Sequence, residues 1–178
     1  LLRGLAVEID RPIPLIAPQS SARTAIRARF AAFPRPWFVL GIGSSEAYKQ
    51  WGARNFSTLA KSLLQRHGGS CFLLGGKSEQ VMADGISQEL GKPGNLVLLI
   101  QMPLHEVVAL LAETQLFFGN DTGMLNLSAA CGTHSIGLFG HPISAWVANS
   151  SPRIHPIYPD AGLSNEGVSQ IEPSRVLQ

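Results

Sequence analysis

Three short polar clusters interrupt a largely apolar chain, and each carries residue types suited to holding a phosphorylated ligand. The sharpest is "NDTG" at residues 120–123. It stands between the apolar run 116–119 and the small and apolar run 124–131. If the first run is a strand and the second a helix, Asp121, Thr122 and Gly123 form the helix N-terminus. The first N–H groups of a helix lack partners, and the helix dipole adds partial positive charge there. Such an end binds phosphate. Gly123 lets a ligand approach the backbone closely, and Thr122 adds a hydroxyl donor. Asp121 does not suit anion binding, because its charge repels phosphate. It suits a cap accepting backbone N–H bonds, or a partner for a sugar hydroxyl. A plain N-cap with no ligand has the same composition.

The second cluster is "GIGSSEAYKQWG" at residues 41–52. Gly41-x-Gly43 opens like a dinucleotide loop, but Glu46 stands where the third glycine belongs, and no Gly-Lys-Ser/Thr follows. Ser44 and Ser45 offer hydroxyl and N–H groups, and Lys49 is placed to reach a phosphate as a point charge. The alternative for Lys49 is a surface lysine in a turn. The third cluster is "LLGGKSEQ" at residues 73–80. Its Glu79 is a candidate for a ribose diol, or else a first-turn glutamate that stabilises its own helix through the dipole.

The elements that must position these clusters follow from the apolar pattern. Runs of strand length recur at 37–42, 71–76, 96–100, 116–119 and 135–140, with a weaker sixth at 154–158. They are continuous rather than alternating, as in strands buried on both faces of a parallel sheet. Helical periodicity fills the gaps. One helix is expected over 22–30 behind the caps Ser20 and Ser21, one around Phe56, Leu59, Ala60, Leu63 and Leu64, and one over 81–90. A fourth is expected over 104–111 with Pro103 at its first turn, and a fifth over 124–131. This alternation predicts an α/β, doubly wound, mostly parallel Rossmann-like sheet. The three clusters follow strands, so they belong on one rim, outside the strands' carboxyl ends.

Composition narrows the class. The 178 residues are 45% hydrophobic and 15% charged, with a net charge of +2, which suits one globular domain and no phosphate-tracking nucleic-acid surface. No apolar run approaches the ~18 residues of a membrane span. Cys71 and Cys131 do not make a disulfide framework, and a reducing compartment is the simpler expectation. The five histidines show no metal-ligand spacing, so no metal site is expected. No Gly-x-Ser-x-Gly elbow is present for a hydrolase triad. Residues 1–19, with Pro12, Pro14 and Pro18, read as a linker from a further, amino-terminal domain, leaving 20–178 as the folded unit.

Together, "KQWGARNFSTLAKSL", "FLLGGKSE", "MPLHEVVALLAETQLFFGNDTGMLNLSAACGTHSIGLFG" and the closing "VSQIEPSRVL" resemble the carboxy-terminal half of the lipopolysaccharide heptosyltransferases, glycosyltransferase family nine. The resemblance spans about residues 34–178. Its most specific part is the Asp-Thr-Gly-Met helix start, with Lys-x-Trp upstream and Leu-Phe-Gly downstream. It implies one half of a GT-B glycosyltransferase, an inverting and metal-independent enzyme that moves heptose or a related sugar from an ADP-sugar to a lipopolysaccharide core acceptor. No cofactor is implied beyond the donor substrate. The implied residence is cytoplasmic, at the inner face of the bacterial inner membrane.

By the same resemblance, Ser44, Ser45, Lys49 and the backbone at Thr122, Gly123 and Met124 hold the pyrophosphate. Glu79 and Met102 fit the adenosine, and Asp121 lies beside the diphosphate and sugar. Asn126 stands where the family usually has His, and Gly140-His141-Pro142 where it usually has Gly-Pro-Thr. The family's catalytic base and acceptor site belong to the amino-terminal half, so no catalytic residue is identified in this chain beyond leaving-group stabilisation by Lys49, and the chain alone is expected to be inactive. Two other readings share the architecture: a nucleotide-binding or assembly module without transferase activity, and a sugar-nucleotide epimerase.

Overall fold

The computed structural model describes residues 15–141, 151–160, 162 and 167–178. Strands and helices alternate from the start: α1 (Ser20–Arg29), β1 (Trp37–Gly41), α2 (Ala53–His67), β2 (Ser70–Gly75), α3 (Gln80–Glu89), β3 (Leu96–Ile100), α4 (Leu104–Leu111), β4 (Leu116–Asn120), α5 (Gly123–Ala130), β5 (Ser135–Leu138), β6 (Ile154–Ile157) and α6 (Pro173–Val176). The strands form one six-stranded sheet in the order β3-β2-β1-β4-β5-β6. Every pairing is parallel. The expected strands all appear, including the weak sixth. β6 sits at the sheet edge, where Pro156 needs no ladder donor on its outer side.

The continuous apolar strands are explained by cores on both faces. Trp37, Val39, Phe72, Leu74 and Phe117 point to one face, where they meet Ile26 of α1, Val107 and Leu110 of α4 and Leu125 of α5. Phe38, Leu40, Cys71, Leu73 and Phe118 point to the other, against Phe56 and Leu63 of α2, Ile86 of α3 and Val176 of α6. Alternation of side chains along a strand produces this division. Both cysteines are free thiols. Burial pushes Cys71 up to about 12 and Cys131 up to about 11, which favours the protonated thiol in both.

α4 spans the expected residues, but the start of α1 and the role of Pro103 differ from expectation. Ser20 and Ser21 are the first helical residues of α1 rather than its caps, and no side-chain cap bond forms at Gln19. Pro103 precedes α4 instead of opening it, and its carbonyl accepts the N–H groups of Glu106 and Val107 at 2.9 and 3.0 Å. Long-range ion pairs do the anchoring at α1. Glu113, in the turn between α4 and β4, accepts hydrogen bonds from Arg23, from Arg27 (2.8 and 2.9 Å) and from Arg35 (3.1 Å). Its side chain is 6% exposed, while the three arginines are about half exposed.

This cluster makes stability depend on acidity. Burial opposes ionisation of Glu113, but hydrogen bonds from Arg27 and Arg23 and their charges outweigh it and hold the carboxyl below its ordinary range. A depressed folded pKa means that the contribution is complete above the unfolded carboxylate range and is lost as pH falls through the folded value. Glu113→Gln is therefore expected to destabilise the domain by about 1–2 kcal/mol near neutral pH, the exposed arginine faces limiting the effect. The difference between parent and variant should close below a pH of about 4. Thermal melts across that range check it, and a gap that does not narrow in acid contradicts the assignment.

Candidate functional site

The strand order reverses between β1 and β4, and loops diverge there at the carboxyl ends of the strands. Register aligns those ends: Gly41 stands beside Leu74 and Gly119, and Gly75 beside Ile100. The three polar clusters follow at this level. A cleft of about 460 Å³ opens among them, and Ser44, Ser45, Glu79, Met102, Thr122, Gly123 and Met124 all line it. Lys49, Asp121 and Asn126, the other three expected site residues, stand outside that lining.

Glycines at the strand ends serve packing as much as ligand approach. A Cβ on Gly41 would lie 2.5 Å from the Phe117 ring, so this residue, which opens the dinucleotide-like spacing, is small because Phe117 crosses it. A Cβ on Gly43 would lie 3.2 Å from Glu79 Oε2, so the loop after β1 presses close to the turn after β2.

The loop after β1 is fixed from below by Asn120, which is fully buried at the end of β4. Its amide donates to the Gly43 carbonyl and to Gln50 Oε1, both at 3.1 Å, and its own oxygen accepts the Trp51 N–H at 3.1 Å. Trp51 in turn donates its indole N–H to the Ile171 carbonyl at 2.7 Å, tying the loop to the carboxy-terminal segment. Within the loop, the Ser44 hydroxyl donates to the Glu46 carbonyl at 2.9 Å and accepts the Glu46 N–H at 3.2 Å. It is a turn-former as well as a cleft residue.

Asp121 does not cap α5. Thr122 is the flanking residue, and no side-chain cap bond is made at this end. Asp121, 8% exposed, instead places Oδ2 3.2 Å from Lys49 Nζ. Lys49 also meets Glu46 Oε2 at 3.0 Å. Burial opposes charge on Lys49, but hydrogen bonds and charges from Glu46 and Asp121 outweigh it and raise its pKa above the ordinary value. The cap alternative fails because a partly buried ammonium neighbour outcompetes a backbone N–H for the carboxylate. Thr122, Gly123 and Met124, at the start of α5, line the cleft, and the first N–H groups of a helix have no partner within it. Asn126, one turn along, donates to the Thr122 carbonyl at 3.4 Å.

Glu79 stabilises its own turn and keeps acceptor capacity toward the cleft. Its Oε2 accepts the Gly76 N–H and its Oε1 the Ser78 hydroxyl, each at 2.8 Å. Each oxygen has lone-pair capacity beyond one bond, so a carboxylate oriented by its own turn can still accept from a diol. Beside it, Gln101 turns the chain off β3 with a left-handed φ of 58° and donates its N–H to Gly75 O at 3.0 Å. That turn presents Met102, and with Leu104 and Val107 it gives the Glu79 end of the cleft an apolar wall. Sequence reasoning missed Asn120 and Gln101. The first was legible as a polar residue ending an apolar strand; nothing in the local sequence marks the second. Among the described residues, no group of three or more His, Cys, Asp or Glu is placed to hold a metal ion.

An all-parallel six-stranded sheet with a polar-rimmed cleft at its switch point defines a Rossmann-like α/β domain. The chain belongs to glycosyltransferase family 9 (heptosyltransferase), whose family model matches residues 7–152. That match begins earlier and ends earlier than the expected 34–178, so it includes part of the proline-rich opening and omits "VSQIEPSRVL". No curated protein matches the chain by sequence.

Among solved structures, the chain is similar to E. coli ADP-heptose lps heptosyltransferase II, with 21% identity, TM-score 0.82, and coverage of 95% of this chain and 53% of that one. It is similar to a glycosyl transferase family 9 protein from Veillonella parvula, with 17% identity, TM-score 0.75, and coverage of 92% and 51%. It is also similar to E. coli heptosyltransferase WaaC with ADP-2-deoxy-2-fluoro heptose, with 20% identity, TM-score 0.65, and coverage of 82% and 42%. At these identities the likeness is one of fold. The chain spans about half the length of the structures it matches.

Proposed function

We propose that this chain is the donor-binding domain of an inverting, metal-independent glycosyltransferase that moves heptose, or a related sugar, from an ADP-sugar to a lipopolysaccharide core acceptor. The observation that carries the reading is the meeting of a cation and a helix N-terminus at the switch point: Lys49, held by Asp121, adjoins the start of α5. The neighbour solved with an ADP-heptose analogue supports the donor class. In this reading the adenosine lies against Met102 and Val107 with its ribose diol on Glu79. The diphosphate meets Ser44, Ser45, the N–H groups of Thr122, Gly123 and Met124, and the Lys49 ammonium. The sugar lies toward Asp121 and Asn126.

As the bond from the anomeric carbon to the diphosphate oxygen breaks, negative charge grows on the leaving group. A fixed ammonium and oriented N–H groups stabilise that charge without reorganising. Acceptor recognition and proton removal from the acceptor hydroxyl are assigned to the other half of the family's architecture, and the reading carries with it work at the cytoplasmic face of the inner membrane.

Calorimetric titration of the 178-residue chain with ADP, UDP and NAD tests the donor class. ADP is expected to bind best, because the apolar wall and Glu79 suit an adenosine. UDP binding more tightly than ADP overturns the ADP-sugar assignment, and absence of binding by all three removes the donor-site reading.

A further inference from the structure

We propose that Glu46 competes with the donor diphosphate for the Lys49 ammonium, and so sets how strongly the site holds diphosphate. The inference rests on the donor-site reading above and adds to it a residue that weakens binding.

Lys49 faces two carboxylates, and they differ in kind. Asp121 is fixed by its place between β4 and α5, with a side chain 9% exposed. Glu46 stands on the loop after β1 with a side chain 45% exposed, free to exchange its contact for water. The loop nonetheless aims it. Ser44 brackets the Glu46 backbone through two hydrogen bonds. The Tyr48 hydroxyl donates to Glu46 Oε2 at 3.0 Å, and the Tyr48 ring packs against His141 with centroids 4.9 Å apart. The Glu46 carboxylate thus reaches Lys49 with a second donor directing it, an arrangement unlike a surface pair made by two loose side chains. Hydrogen bonds from Lys49 and then Tyr48 hold its carboxyl below the ordinary range, so it is ionised throughout neutral pH.

Two carboxylates around one ammonium leave a net negative charge where the reading places an anion. An incoming phosphate oxygen must take a bond on Lys49 against Glu46 and also approach its charge. Asp121 cannot leave and orients the ammonium; Glu46 can leave and is the group displaced. The penalty grows with ligand charge, so Glu46 should weaken ADP binding most, AMP less and adenosine least.

The test is calorimetry with adenosine, AMP and ADP on the parent, Glu46→Gln and Glu46→Ala, with each substitution repeated in a Lys49→Ala background. Glu46→Ala accompanies Glu46→Gln because a glutamine oxygen can still accept from Lys49, and melting curves confirm that both fold. Removing the competing pair is expected to tighten ADP binding up to about five-fold, the range of a partly exposed ion pair. Adenosine should change little, and the gain should shrink with added salt. In the Lys49→Ala background the gain should shrink, because only the screened repulsion of an exposed carboxylate is then left to relieve.

If the parent binds ADP but neither Glu46 variant binds it more tightly, the competition is overturned and the donor site stands. If the full gain persists without Lys49, the effect is not competition for that ammonium and the proposal is overturned. If no form binds any adenine compound, the donor-site reading fails and this inference with it.

Discussion

Lys49→Ala is expected to weaken ADP binding by about ten- to a hundred-fold while changing AMP binding far less, because a charge-assisted hydrogen bond in a partly buried site contributes about 1.5–3 kcal/mol. The structure adds a reason for a loss at the upper end. Lys49 is 3.2 Å from Asp121, whose side chain is 9% exposed. Truncating the lysine removes a cation from the diphosphate and also leaves an uncompensated carboxylate beside it. Lys49→Ala combined with Asp121→Asn should therefore recover part of the ADP affinity lost by Lys49→Ala alone. Non-additivity of this kind is expected between residues in contact. Titration of the single and double variants with ADP and AMP provides the measurement. Equal weakening of AMP and ADP would place Lys49 away from the outer phosphate, and no recovery in the double variant would show that the uncompensated Asp121 charge does not contribute to the loss.

The fold was legible because its signals are local. Continuous apolar stretches such as 71–74 and 96–100 could only be strands covered on both faces, and the helical periodicity between them forced parallel crossovers. That in turn put the residues after β1, β2 and β4 on one rim, where seven of the ten expected site residues line one cleft. What was not legible depends on distance in sequence. Glu113 meets Arg27 across 86 residues and Arg23 across 90, and no local pattern announces that convergence. The cap alternative for Asp121 was open because a carboxylate before a helix usually is one, and the partner that it takes instead, Lys49, lies in a different loop. Asn120 was visible as a polar strand end, but its role was not, because its partners Gly43, Gln50 and Trp51 stand 69 to 77 residues away. The start of α1 moved two residues earlier, to Ser20, where tertiary anchors such as the Glu113 cluster, more than hydroxyl caps, hold the helix.

Gly123→Val is expected to abolish measurable ADP binding without unfolding the domain, and the structure makes this separation cleaner than the sequence could. Gly123 is the first residue of α5, lines the cleft and does not have a positive φ. A Cβ built there meets no heavy atom within 4 Å. Nothing in the folded chain therefore requires glycine at this position, neither backbone strain nor a close neighbour. The open space in front of it is the cleft, where the proposed diphosphate must approach the N–H groups of Gly123 and Met124 to hydrogen-bond distance. A branched side chain occupies that approach and forfeits two charge-assisted bonds at about 1.5–3 kcal/mol each, at least a hundred-fold in affinity. The melting temperature should hold or rise slightly, since replacing glycine removes freedom from the unfolded chain. Gly123→Ala, which adds one methyl group, should give an intermediate loss. The comparison needs melting curves and ADP titrations on the three proteins. If the valine variant melts like the parent and binds ADP equally well, the α5 start is only the beginning of a helix, and the diphosphate must be held elsewhere.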